Sequence, residues 1–186
     1  RIAFFGDSIT WLGGYIGLLR EALDATPLAN ITLFNRGING GCVKDLRDGT
    51  TLYGSTYPDF ETALGEDQPT LVAIFIGMND VWFPTSTHHS DPDTFASILG
   101  GLVKAARGAG ATVALYTLSV HGELTTGTQV FDANMTLYTE QIKQVASENE
   151  VALGNTHENY LAYERAYNTV PAGGIADGVL TVGGVH

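Results

Sequence analysis

Three short polar stretches hold the side chains with which this sequence could do chemistry. Gly6-Asp7-Ser8 follows the apolar run Ile2-Ala3-Phe4-Phe5. Asn35-Arg36-Gly37-Ile38-Asn39-Gly40-Gly41 follows Ile31-Thr32-Leu33-Phe34, and Gly77-Met78-Asn79-Asp80 follows Leu71-Val72-Ala73-Ile74-Phe75-Ile76. Together they suggest acyl transfer, which needs a nucleophile, a base, and donors aimed at the developing oxyanion. Ser8 offers a hydroxyl at a strand-to-helix junction and an amide at the start of the next segment. Gly40 offers a backbone N–H with no side chain to block approach. Asn79 offers a neutral side-chain NH2 group. Each piece alone is ordinary turn composition; the signal is one such turn after each of three consecutive strands.

The elements that must position these turns alternate between strand and helix. After the first strand, Ile16, Leu19 and Leu23 recur at helical spacing, with Pro27 just beyond. Val43 to Leu64 is expected to form short helices around a loop at Thr50–Tyr57. Asp91-Pro92 reads as an N-cap and first-turn proline. Phe95, Ile98, Leu99, Leu102, Val103 and Ala106 then mark an amphipathic helix that Gly108 and Gly110 end. Thr112–Tyr116 is a fourth strand, Met135 to Ala146 a helix, Val151–Leu153 a short fifth strand, and Glu158–Tyr167 a last helix. Such alternation predicts an α/β fold: a three-layer α/β/α sandwich around a five-stranded parallel, flavodoxin-like sheet. Ligands in such sheets bind beyond the carboxyl ends of the strands, which is where all three turns fall.

A chain of 186 residues, 44% hydrophobic and 16% charged, suits one domain with a sizeable core. Its formal net charge of −11 argues against nucleic acid or an anionic membrane as partner. No apolar run approaches the roughly 20 residues needed to span a bilayer. Cys42 is the only cysteine, so no intrachain disulfide is possible. The sequence leaves the compartment and the oligomeric state open.

GDSIT (Gly6–Thr10), NRGINGG (Asn35–Gly41) and IGMNDVW (Ile76–Trp82) resemble, in order and spacing, the first three sequence blocks of the GDSL or SGNH hydrolase family. The resemblance runs along nearly the whole chain. It implies ester hydrolysis on a flavodoxin-like sheet without a metal or cofactor. Position by position, it makes Ser8 the nucleophile, and Gly40 and Asn79, with the Ser8 amide, the oxyanion donors.

The family's last block is Asp-x-x-His, whose His is the general base and whose Asp orients it. The tail here is IADGVLTVGGVH, Ile175–His186, and two registers are possible. In one, Asp177-Gly178-Val179-Leu180 puts leucine in place of the base. In the preferred one, Gly183-Gly184-Val185-His186 keeps His186 as base and puts Gly183 in place of the orienting acid, because Gly178-Val179-Leu180-Thr181 resembles the segment before this block in related hydrolases. The domain, 1–186, would then lack the family's closing helix. Asp177, a backbone carbonyl or the terminal carboxylate would have to compensate for the absent acid.

Other residues have blander readings. His88-His89-Ser90-Asp91 has metal-like composition, but adjacent histidines make a poor ligand pair, so the expectation is a polar loop beside the pocket. His121 is an alternative base. Trp11 and Tyr15 flank Ser8 and are expected in the core or against an acyl chain or sugar. Asp7 is expected to hold its turn, and Tyr160, Tyr163 and Tyr167 to pack. The leading expectation is a serine esterase acting on a short acyl ester, such as an acetyl ester of a carbohydrate or small molecule. The alternative is an impaired relative that binds a sugar or acyl ligand without efficient turnover. A phosphate or nucleotide binder fits less well: Asp7 would repel phosphate, and no P-loop or GxGxxG is present.

Overall fold

The computed structural model describes residues 1–50, 54–82, 86–119 and 129–167, and the structural statements below concern these. The chain runs β1 (Ile2–Gly6), α1 (Ser8–Leu12), α2 (Gly14–Asp24), β2 (Leu33–Gly37), α3 (Val43–Asp48), α4 (Phe60–Asp67), β3 (Leu71–Phe75), α5 (Met78–Trp82), α6 (Pro92–Gly108), β4 (Thr112–Tyr116), α7 (Gln129–Glu148), β5 (Ala152–Gly154) and α8 (Thr156–Tyr167). The five strands form one sheet in the order β2-β1-β3-β4-β5, every pair parallel. The three-layer α/β/α sandwich expected from the strand–helix alternation is what forms.

Alternation along the strands assigns the two faces. Ala3, Phe5, Val72, Ile74, Val113 and Leu115 join the large core with residues of α3, α4, α6 and α7. Phe4 and Ala73 point the other way and meet Ile16, Tyr15 and Leu19 of α2. The α6 helix behaves as its spacing predicts: Asp91 caps it through the amides of Asp93 and Thr94, and all six apolar residues of the stripe are buried.

Three elements differ from the sequence reading. The first helical stretch is two helices, broken at Gly13, whose φ of +75° no helix continues through. The second strand lies later than its apolar run suggests, because register with β1 pairs Phe4 with Asn35, Phe5 with Arg36 and Gly6 with Gly37. At this edge strand, polar side chains are tolerated because each finds a partner: Arg36 donates to both oxygens of Asp67 at 2.7 and 2.8 Å, and Asn35 to the end of α1. The turn after β3 is already the first turn of α5, starting at Met78.

The sheet order places a topological switch between β1 and β3: the chain moves outward from β1 to β2 and then returns to the other side of β1. Loops diverge at such a point and leave a crevice at the carboxyl edge. The three polar turns follow the strands around it.

Candidate active site

Ser8 is the first residue of α1, directly after β1. Asp7 makes that placement possible. It is the N-cap of α1, and its Oδ1 accepts the Ile9 amide at 3.0 Å. The Asp7 side chain is buried, and this burial pushes its carboxyl up to about 7 despite the Ile9 bond. Two glycines let α1 sit close to the sheet. A Cβ at Gly6 would lie 2.1 Å from Thr10 Oγ1, and one at Gly37 would lie 2.1 Å from the Trp11 backbone nitrogen. Asn35 secures the far end of α1, donating from Nδ2 to the carbonyls of Thr10 at 2.8 Å and Trp11 at 3.3 Å.

Gly40 lies in the turn after β2 with φ +70°, a conformation that favours glycine. The turn's own hydrogen bond runs from Gly41 N to Ile38 O at 2.9 Å. The Gly40 N–H is therefore not the one that closes the turn. Asn79, in the first turn of α5, donates from Nδ2 to Gly41 O at 2.9 Å. An amide nitrogen carries two N–H bonds, so one remains for a further acceptor. That bond ties the loop after β3 to the loop after β2. Ser8, Gly40 and Asn79 thus stand at the carboxyl ends of three adjacent strands, two of their loops linked directly.

Beneath these loops lie two buried carboxyls. Asp80 accepts Val43 N on Oδ2 at 2.9 Å and Ser90 N on Oδ1 at 3.2 Å. It is the orphan donor at the start of α3, rather than its own helix, that Asp80 satisfies. Burial pushes its carboxyl up to about 8; the two amides work against that shift, and the charges of Asp45 and Asp7 add to it. Asp45 accepts Cys42 N on Oδ2 at 2.8 Å and hydrogen-bonds His88 Nδ1 through Oδ1. Cys42 is buried, and burial, reinforced by Asp80, Asp45 and Asp7, pushes its thiol up, which makes it a poor nucleophile.

His88 and His89 form neither a ligand pair nor a merely solvated loop. His88 Nδ1 meets Asp45, and His89 Nδ1 lies 2.5 Å from the Asp80 carbonyl. Among the described residues no group of three or more His, Cys, Asp or Glu is arranged to hold a metal ion. Tyr15 is half-buried against the smaller core: its ring meets Phe4 edge-on, and its hydroxyl lies 3.0 Å from Thr10 Oγ1. Trp11 is about half exposed and lines a cavity of ≈ 340 Å³ with Asn35, Gly37, Ile38, Tyr57 and Pro58. This cavity sits beside the candidate donors: neither Ser8, Gly40 nor Asn79 lines it. Tyr163 is a surface residue, 43% exposed.

His121, Asp177, Gly183 and His186 lie outside the described residues, so both candidate bases and the substituted acid do too. Sequence reasoning passed over Asp45 and His157. His157, in the first turn of α8 on the same sheet edge, bonds through Nδ1 to the Ser119 carbonyl at 3.1 Å. The only sequence signal for it was its place just after β5. No helix among the described residues is long and apolar enough to cross a membrane.

Comparison with known proteins adds a second line of observation. The model of a family described as the GDSL-like Lipase/Acylhydrolase family matches residues 4–178. The acetyl xylan esterase AlAXEase has a similar structure, with a TM-score of 0.73 and 27% identity over 89% of this chain and 81% of that one. Two further structures share the fold. LAE5, an alpha/beta hydrolase enzyme from the metagenome of Lake Arreo, Spain, has a TM-score of 0.75 at 24% identity over 89% of this chain and 81% of that one. Axe2, an acetylxylan esterase from Geobacillus stearothermophilus, has 0.72 at 23% identity over 90% and 83%. No curated protein matches the chain.

Proposed function

Since the chain belongs to the GDSL-like lipase/acylhydrolase family, we propose that it hydrolyses short acyl esters, acetyl esters of a carbohydrate foremost, through an acyl-enzyme on Ser8. The observation that carries this reading is the convergence of Ser8, Gly40 and Asn79 at the carboxyl ends of β1, β2 and β3, around the sheet's switch point. The likeness to an acetyl xylan esterase at 27% identity supports the acyl group and the sugar.

In this reading Ser8 Oγ attacks the ester carbonyl while His186 takes the proton. The oxyanion is held by the amides of Ser8 and Gly40 and by the free N–H of Asn79 Nδ2. The alkoxide leaves with that proton, and water, deprotonated by His186, attacks the acyl-enzyme and releases acid and Ser8. Gly183 in place of the orienting acid favours a second reading, a relative that binds the ester and turns it over poorly. In a serine protease, loss of that acid's orienting role costs about 10⁴ in turnover.

Hydrolysis of p-nitrophenyl acetate by the parent and by Ser8→Ala tests the proposal. The expected result is parent activity that falls to background in the variant. Equal rates in the two overturn the active-esterase reading and leave the binding reading, which retained affinity for acetylated xylooligosaccharides then supports.

A further inference from the structure

We propose that His88 is a positioning residue for the oxyanion hole, acting through Asp45 to hold the Gly40 turn in line with Asn79; the proposal rests on the esterase reading above. The turn and the helix behind it form one short stretch, Gly40 to Asp45, and hydrogen bonds reach it from the loop after β3 at several points. Asn79 Nδ2 donates to Gly41 O at 2.9 Å, Val43 N donates to Asp80 Oδ2 at 2.9 Å, and Lys44 Nζ donates to the His89 carbonyl at 2.8 Å. The fourth link is the His88 ring on Asp45, whose other oxygen holds the Cys42 amide at 2.8 Å.

The His88 link is the one that fixes the Asp45 side chain, which in turn holds the start of α3. Asp45 is fully buried and its Oδ1 is partnered by the His88 ring, so removing the ring leaves that oxygen to find a new partner. A buried acceptor without a partner drives its side chain to turn, and the Cys42 bond turns with it. Cys42 is two residues from Gly40. The helix that follows has six residues, too few to fix its own start without help from its caps. Asp80 holds the amide of Val43 one residue further on, so the Cys42 end of the stretch, nearer Gly40, is the part that the Asp45 carboxylate fixes.

The His88 segment is a hydrogen-bonded turn tied to α7 at Ser90. His88 N donates to Ser86 Oγ at 3.1 Å, His89 N to Ser86 O at 3.2 Å, and Tyr138 OH of α7 to the Ser90 carbonyl at 2.5 Å. A support thus reaches the Gly40 turn through one imidazole and one carboxylate. Oxyanion donors must be held to within about 0.5 Å of their productive positions to act, so a support of this kind bears on turnover and not on substrate affinity.

The test compares the parent with His88→Ala and His88→Asn, below the melting temperature of all three. Asparagine places its side-chain amide near the position of Nδ1, so it can restore the donor to Asp45. Two readouts are taken: the ¹H–¹⁵N resonance of the Gly40 amide, and kcat and KM for p-nitrophenyl acetate. For His88→Ala the Gly40 resonance is expected to shift and kcat to fall about tenfold, a fraction of the loss from deleting a donor, with KM unchanged. His88→Asn is expected to recover both. A Gly40 resonance that stays in place in His88→Ala overturns the proposal, as does a kcat loss that asparagine does not repair. Absence of Ser8-dependent turnover in the parent would sink the esterase reading instead, and the Gly40 resonance would still decide whether His88 sets that amide.

Discussion

Replacing Gly37 with alanine tests how tightly the sheet holds the helix that carries Ser8. A Cβ at this position would lie 2.1 Å from the Trp11 nitrogen, 2.5 Å from its Cα and 2.6 Å from the Thr10 carbonyl carbon. All three are backbone atoms of α1, so no rotamer change relieves the clash. Reaching ordinary contact, about 3.5 Å, requires more than about 1 Å of movement between β2 and α1. Because β2 is held in register with β1 along its whole length, α1 is the element that yields. Ser8 is at its first residue. A misplacement of about 1 Å at a reacting centre costs on the order of 10² in rate, and overpacking costs about 1–3 kcal/mol of stability. The assay is kcat/KM for p-nitrophenyl acetate together with the unfolding midpoint. Gly17→Ala, on the exposed side of α2 where a new methyl meets nothing within 4 Å, serves as control and should be neutral or slightly stabilising. If Gly37→Ala keeps turnover within about threefold of the parent and melts at the same temperature, the close approach of α1 to β2 does not set the position of Ser8.

Further expectations follow from the same geometry. Asn79→Ala removes an oxyanion donor and the bond to Gly41 O; kcat should fall about 10²–10³-fold with KM little changed, and a loss under about fivefold would exclude Asn79 from the site. Burial pushes the Asp7 and Asp80 carboxyls up to about 7 and about 8 in the fold, against about 3.9 when unfolded, so between those values the native state binds the extra protons and stability declines as pH rises. Melting temperature should accordingly fall from pH 5 to pH 9, and a rise over that range would contradict the burial of these groups. Leu99→Ala, at the centre of the α6 stripe, should cost about 2–5 kcal/mol in a denaturant titration and leave KM unchanged.

What could be read from the residues follows from how local the causes were. The α6 helix was legible because its cap, its first-turn proline and its apolar stripe are contiguous, and β4 because Thr112–Tyr116 is both its apolar run and its strand. Register is not local. The apolar run Ile31–Phe34 begins two residues before β2 because pairing to β1, not hydrophobicity, decides where β2 begins, and its polar residues are accommodated by Asp67 and by the end of α1. The three turns of the candidate site were legible as a set because sheet topology sends them to one edge. Their support was not. Asp45 and His88 are 43 positions apart, and nothing in either neighbourhood announces the partner. The adjacent histidines drew attention through composition alone, and their work lies in hydrogen bonds to Asp45 and Asp80.

The central claim, that Ser8 forms the acyl-enzyme, is tested most directly by trapping it. The protein would be treated with a p-nitrophenyl alkylphosphonate, digested, and the adduct located by mass spectrometry. The account predicts one adduct per chain, on Ser8 in the peptide from β1 into α1, formed more slowly in Asn79→Ala. An adduct on another residue, or none under conditions where p-nitrophenyl acetate is turned over, would contradict it.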